Sequence, residues 1–307
     1  MPENVFQCVV ICTRNRPSRM AALMRNLDSL MPKPDFIVVV DSSDSNETEI
    51  TVLHSPIKDV HYLKSTPGLP HQRNVGINYL RSLLKNSTAT VSFLDDDIEL
   101  PLNYFESVRN RFYEFPEAAC IAGYDSNLKI RDSKALERLF FLRSKDDSGK
   151  VLRSGIAIPV TTPTEVTFCQ WAPGHTLNIP LSKLLDIEFN EGIRMYGEDV
   201  DFLWRLSARG VIITAPELGV VHHQEPSGRD KLPDIEAFNA GARWKLCSLD
   251  PGYFRKYQVL VSTFALMAYR LAKGLGTLDV ASLSRAKGLW LFFFRLALGF
   301  RVTQTDY

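Results

Sequence analysis

Thr90-Val91-Ser92-Phe93-Leu94-Asp95-Asp96-Asp97 decides how the rest of the chain is read. The run up to Leu94 is mostly β-branched and apolar, the composition of a strand buried in a sheet. Three aspartates then emerge together at its C-terminal end, the edge outside which open α/β sheets bind their ligands. Adjacent carboxylates repel one another unless something positive is present. A divalent cation carrying a diphosphate is the natural partner, because hard cations take oxygen ligands and bridge to phosphate. An acidic surface turn is the competing reading at this point.

Upstream, Val5 to Cys12 reads as a strand broken by Thr13-Arg14-Asn15-Arg16-Pro17. Ser18 is placed to cap a helix carrying Met20, Leu23, Met24, Leu27 and Leu30 at helical spacing. Phe36 to Val40 and Val60 to Leu63 are two more strands, and Gln72 to Leu84 a helix leading into the aspartate strand. Strands alternating with helices in this way argue for an α/β fold, a mainly parallel sheet flanked by helices. Beyond residue 100 the alternation weakens. Helices are expected over Leu102 to Phe115, Pro180 to Leu185 and Asp199 to Arg209, strands over Val211 to Ala215 and Gly219 to Val221, and a helical extension from about Asp234.

The 307 residues suffice for one large or two smaller cores. Lys and Arg (36) nearly balance Asp and Glu (35), so no global field draws the chain to nucleic acid. Five dispersed cysteines without a Cys-x-x-Cys pair indicate neither a zinc ribbon nor a disulfide framework. The opening Met-Pro-Glu-Asn lacks the basic region and apolar core of a signal peptide. A reducing, cytoplasmic setting is the expectation.

The second strand ends at Asp41, whose carboxylate suits a nucleoside as a bidentate acceptor. No Gly-x-Gly-x-x-Gly follows the first strand and no Walker lysine motif occurs, which weakens dinucleotide and P-loop readings. Arg73, expected in a first helical turn, works against the helix dipole there and so suggests a negative partner. Glu198, Asp199 and Asp201 open a helix, where acids are favoured by the dipole, and one of them can act as a general base toward an acceptor hydroxyl. His222 and His223 end a strand whose alternation sends them to opposite faces, so one of the two reaches the site. A carboxylate set plus one imidazole suits manganese or magnesium.

Five elements in order resemble the family-2 glycosyltransferases, which have the GT-A (Rossmann-like) fold. They are Thr13-Arg14-Asn15-Arg16, Asp41, Arg73-Asn74-x-Gly76, Phe93-Leu94-Asp95-Asp96-Asp97, and Gly197-Glu198-Asp199 followed by Arg205. The resemblance covers roughly residues 5 to 225. It implies an inverting transfer of sugar from a nucleotide-diphosphate donor to a hydroxyl of a glycan or lipid-linked acceptor, as in polysaccharide biosynthesis. It assigns Thr13, Arg14, Asp41, Arg73, Asp95 and Asp96 to the donor, Asp97 with His222 or His223 to a divalent Mn2+ or Mg2+, and Asp199 to the catalytic base. Trp171 and Glu198 fall to the acceptor. Asp41-Ser42-Ser43-Asp44 departs from the usual pattern, in which a second acid and a glycine follow the first Asp. A nucleotidyltransferase, which would need a glycine-rich basic loop after the first strand, and a non-catalytic nucleotide-sugar binder are the alternatives.

The corresponding division is 1–100 for the nucleotide-sugar half, 101–230 for the acceptor-binding and catalytic half, and 231–307 for the helical extension. Two apolar tail helices are expected, Tyr257 to Leu275 and Lys287 to Phe300. Six basic residues and one acid lie between Arg270 and Arg301. Arg270 and Arg295 interrupt the apolar runs, which argues against a spanning segment. The tail is expected at a membrane interface, peripheral at its inner face, or else packed on the catalytic domain or in a homodimer.

Overall fold

A computed structural model describes residues 5–85, 87–193, 196–224 and 231–299. Two compact units divide the described residues: one within Met1–Ile130, Pro159–Phe189 and Phe202–Gly228, the other within Arg131–Ile158, Asn190–Asp201 and Arg229–Tyr307. The ends of two expected features, Phe300 and Arg301, lie outside the described residues.

The first unit begins with β1 (Phe6–Thr13), α1 (Pro17–Ser29), β2 (Phe36–Asp41), α2 (Glu47–Leu53), β3 (Val60–Lys64), α3 (Leu69–Leu83) and β4 (Ala89–Asp95). It continues through β5 (Ile98–Glu99), α4 (Tyr104–Glu114), β6 (Cys120–Ala122) and β7 (Tyr124–Asp125). Then come β8 (Thr167–Cys169), β9 (Thr176–Pro180), β10 (Ile212–Thr214) and β11 (Gly219–His222). The main sheet has the order β3-β2-β1-β4-β9-β6-β10-β8. β1, β2, β3 and β4 run parallel, while β9 pairs antiparallel with β4 and with β6. This is the GT-A-like arrangement, a mostly parallel sheet flanked by helices.

The chain steps outward from β1 to β3 and returns to β4 on the other side of β1. That reversal opens a crevice above the carboxyl ends of β1 and β4, the usual ligand position in such sheets. Register places Cys12 opposite Asp95. Val9 and Ile11 of β1 join Met20, Leu23, Met24 and Leu27 of α1 in one buried cluster. On the other face of β1, Gly76 of α3 faces Val10 so closely that a Cβ would lie 2.5 Å from Val10 Cγ1. The glycine of the Arg73-Asn74-x-Gly76 motif is thus a packing requirement.

Across the crevice the middle aspartate ties the two strand ends together. Asp96 accepts from Thr13 Oγ1 at 2.6 Å and from Arg16 NH1 at 2.7 Å. Burial pushes its carboxyl up to about 6, although Arg16 and the Thr13 hydrogen bond pull the other way. A smaller sheet, β5-β11-β7, sits downstream of these acids. Its antiparallel register sets His222 opposite Ile98, just after the aspartate turn.

The second unit contains α5 (Ala135–Leu139), α7 (Leu232–Leu249), α8 (Lys256–Thr277) and α9 (Val280–Ala297). The division passes through α6 (Glu198–Leu206), assigning Glu198 to Asp201 to this unit. Among the described residues the C-terminal region is helical as expected, α7 preceding the two apolar helices α8 and α9. Asp279 explains the early start of α9: it caps the helix by accepting from the backbone N–H groups of Ala281 and Ser282. α8 is long and apolar enough to cross a membrane by length and composition alone, with a mean hydropathy of 1.2. Arg270 and Lys273 nevertheless fall within every 18-residue stretch of α8, so its apolar run is interrupted as expected.

Two helix starts also differ from expectation. α1 begins at Pro17, with Arg16 rather than Ser18 at the cap position and no side-chain cap; proline at the first helical turn is pre-organised for this. α3 begins at Leu69 with Pro70 in its first turn, which places Arg73 one turn inside the helix. The dipole argument for Arg73 therefore does not apply, and its position rests on contacts described below.

Two substitutions test this framework. Gly76→Ala should lower stability by about 1–3 kcal/mol through overpacking against Val10, measured by urea unfolding. For Asp96, the folded pKa lies above an unfolded value near 4. The folded chain therefore holds that proton more tightly, and its contribution to stability falls as pH rises through the window between the two values. Arg16→Met raises the folded value further. Its deficit against wild type should be about 3 kcal/mol near pH 7 and should shrink toward pH 5, read from unfolding at both pH values in chelator.

Candidate active site

Asp95, Asp97 and His222 offer one ligand atom each, and the three atoms lie within 4.8 Å of one another. His222 Nε2 is 3.2 Å from Asp97 Oδ1. Burial opposes protonation of His222, but its hydrogen bond to Asp97 and the charges of Asp97, Asp95 and Asp125 outweigh this and raise its pKa. The backbone N–H of His223 donates to Asp97 O at 2.9 Å, fixing β11 beside the acids. The His223 ring points elsewhere, with Nε2 3.7 Å from Glu99. Alternation along β11 thus separates the two imidazoles, and His222 is the one beside the aspartates.

Arg73 is buried. Its NH2 lies 3.5 Å from Asp95 Oδ1 and donates to Gly174 O at 2.9 Å, while its guanidinium sits 5.0 Å over the Phe189 ring. Asn74 holds the same Phe189 by both backbone groups, donating to its carbonyl at 2.9 Å and accepting from its N–H at 2.8 Å. Phe189 in turn stacks on Phe202 with ring centroids 3.8 Å apart.

The loops after β1 and β2 are joined around Asp41. This fully buried carboxylate accepts from the Ser43 N–H, the Ser43 hydroxyl and the Tyr62 hydroxyl. Asn15 exchanges hydrogen bonds with Asp44 across the same loops. Arg14 is exposed at 42% of its side chain and lies 3.5 Å from Asp44. Thr13 uses its hydroxyl on Asp96.

In the second unit the motif Gly197-Glu198-Asp199 begins α6. Gly197 has φ +127°, and a Cβ there would approach Ala242 Cβ to 2.7 Å, so only glycine suits the turn. Three acids in this first turn, all favoured by the dipole, occupy different surroundings. Glu198 is buried and accepts from the Gly197 N–H at 3.2 Å. Asp201 is buried 3.5 Å from Asn190 Nδ2. Asp199 is partly exposed, with Oδ1 accepting from the Val200 N–H at 2.8 Å. It is the acid of the three that solvent reaches most readily.

Trp171 is 9% exposed, and its Nε1 has no hydrogen-bond partner among the described residues. Asn178 lies inside the core, bonded to Ser92, Tyr104 and Ile121.

Three contributors escaped the reading of the sequence. Gln72 donates to the carbonyls of both Thr13 and Val40, tying β1 to β2. Arg16 stood in a quoted motif without a role. His175 lies with its ring 4.9 Å from His222. Burial, seconded by the charge of His222, lowers the His175 pKa to about 3, and its buried Nε2 has no partner among the described residues. A single loop histidine carries no periodicity or spacing that would have marked it.

Known proteins match this architecture. The chain is 25% identical over 315 aligned positions to a protein named pre-mycofactocin glycosyltransferase in two strains of Mycobacterium tuberculosis. The alignment covers all of this chain and 60% of those relatives, so the chain spans less than two thirds of their length. A solved structure of the mannosyltransferase PcManGT from Pyrobaculum calidifontis, in complex with GDP-Man and Mn2+, superposes with a TM-score of 0.56. It is 14% identical, covering 97% of this chain and 89% of that one, and so speaks for the fold alone. The sequence profile of Glycosyl transferase family 2 matches residues 8–166, just over half of the chain. The chain belongs to glycosyl transferase family 2.

Proposed function

We propose that this glycosyltransferase moves a sugar from a nucleotide-diphosphate donor to an acceptor hydroxyl with inversion at the anomeric carbon, on a glycan or lipid-linked acceptor. The observation that carries the reading is the grouping of Asp95, Asp97 and His222 within 4.8 Å at the carboxyl end of β4. Two carboxylates and one imidazole form a hard oxygen-and-nitrogen set of the kind that takes Mn2+ or Mg2+ with positions left open. Their mutual repulsion in the absence of a cation points the same way. Such an ion, when bound, supplies Lewis-acid neutralisation of charge on a departing diphosphate.

The chain's own residues divide the remaining work. Arg16 and Thr13 hold Asp96 aside, so that the flanking acids alone face the cation. Arg73 orients Asp95 from a buried position and adds positive charge on the donor side. Arg14 is the exposed cation of the nucleoside loops, while Asp41 holds their shape. Asp199, half-open at the start of α6, takes the proton from the acceptor hydroxyl. Inversion requires that this proton leave from the face opposite the diphosphate. Glu198 and Trp171 are assigned to the acceptor, Trp171 through the unpartnered Nε1–H. The complex of the Pyrobaculum mannosyltransferase with GDP-Man and Mn2+ supports a nucleotide-sugar donor and a divalent cation by likeness of fold.

Calorimetry with Mn2+ tests the metal assignment. Asp97→Ala and His222→Ala should each weaken binding by at least the roughly 10–100-fold seen for losing even an outer-sphere partner, whereas His223→Ala should leave it unchanged. Unaltered affinity in the His222 variant removes the assignment. For the base, Asp199→Asn should lower turnover by about 10²-fold or more with donor affinity retained. Wild-type turnover in that variant rules out Asp199 as the proton acceptor.

A further inference from the structure

We infer that the C-terminal helices of the second unit form a docking face for an anionic lipid surface, lying in the plane of the interface. The inference is independent of the transfer chemistry proposed above. It begins with α8, which is built inside out. On its buried side, Ser262 and Thr263 receive Arg243 of α7, which donates to their hydroxyls at 3.1 and 2.6 Å. On the opposite side Tyr257, Val261, Phe264, Ala268, Leu271 and Leu275 follow at alternating steps of four and three residues, all exposed. Phe264 is 59% exposed and Leu275 64%. A helix packed on a protein core and facing water shows the reverse order, apolar side inward.

α9 extends the same character. Gly274 of α8 lies against Leu283 of α9, so the two helices meet closely at their connection. Trp290, Phe294 and Leu298 are about half exposed, the first two with rings stacked at 5.2 Å. Exposed large apolar side chains grouped along two neighbouring helices in this way mark an interaction site.

Charge selects the occupant. From Pro251 to Gly299 there are seven basic residues and one acid, Asp279. A second copy of the same face would set like charges against one another. An anionic lipid surface instead attracts them, and long basic side chains and Trp or Tyr rings suit the headgroup level. The buried side of α8 selects interface over span. Arg243 is 4% exposed, and drawing α8 across a bilayer would strip it of both hydroxyl partners while leaving a buried cation behind.

The test is co-flotation of the full chain with phosphatidylcholine vesicles, with and without phosphatidylglycerol. Wild type should float with the anionic vesicles and stay behind with the neutral ones. Lys287→Glu and Arg295→Glu should each weaken partitioning by about fivefold or more, the usual worth of one basic residue near such a surface. Phe264→Ser combined with Trp290→Ser should abolish flotation with an unchanged circular-dichroism melt. Wild type that ignores anionic vesicles overturns the inference, as does flotation indifferent to these substitutions. A dimer in light scattering that the Phe264→Ser, Trp290→Ser variant returns to monomer would assign the face to a second copy instead.

Discussion

Three consecutive carboxylates can share one turn only if they are treated differently. Two like charges about 4 Å apart repel by about 1 kcal/mol in water and about 4 kcal/mol in the intermediate dielectric of a protein surface. The chain resolves this by engaging the middle acid. Asp96 is buried against Thr13 and Arg16, which makes it the clasp between β1 and β4. Asp95 and Asp97 are left beside Arg73 and His222, each with a positive or protonatable neighbour. The switch in strand order, the placement of Arg16 before α1 and the approach of β11 all converge on that separation.

α3 shows how much organisation one helical turn can hold. Gln72 closes onto the carbonyls of β1 and β2, and Gly76, one turn later on the same face, lets the helix settle on Val10. Between them Arg73 reaches Asp95 and Gly174, and Asn74 grips the backbone of Phe189. A motif that reads as a ligand signature is also the joint between strand, site and the segment that follows β9. Function and packing are not separable there, since the same few residues serve both.

The parallel half of the fold was legible because its strands are continuous apolar runs and its helices have clear periodicity. Phe6–Thr13, Phe36–Asp41 and Ala89–Asp95 stand within a residue or two of where composition put them. The aspartate turn was legible because acids directly after a buried strand are conspicuous. What could not be read were partners supplied by tertiary contact. Asp96 differs from its neighbours only through Thr13 and Arg16, and the choice of His222 over His223 depends on register with β5. His175 and Gln72 carry no local pattern at all. At helix starts, prolines displaced the expected boundaries, because Pro17 and Pro70 favour an earlier first turn than the apolar spacing suggests.

The imidazole that completes the acid cluster arrives on β11, far downstream of the aspartates and after most of the first unit. During synthesis the strands that carry Asp95 to Asp97 emerge early, with no basic ring beside them. His222 joins only when β11 has inserted between β5 and β7, a contact between segments distant in sequence and therefore slow to form. The chain thus ties maturation of its chemistry to completion of its architecture. A nascent or incompletely folded molecule holds Asp97 without its imidazole, and the assembled cluster is a mark of a finished first unit.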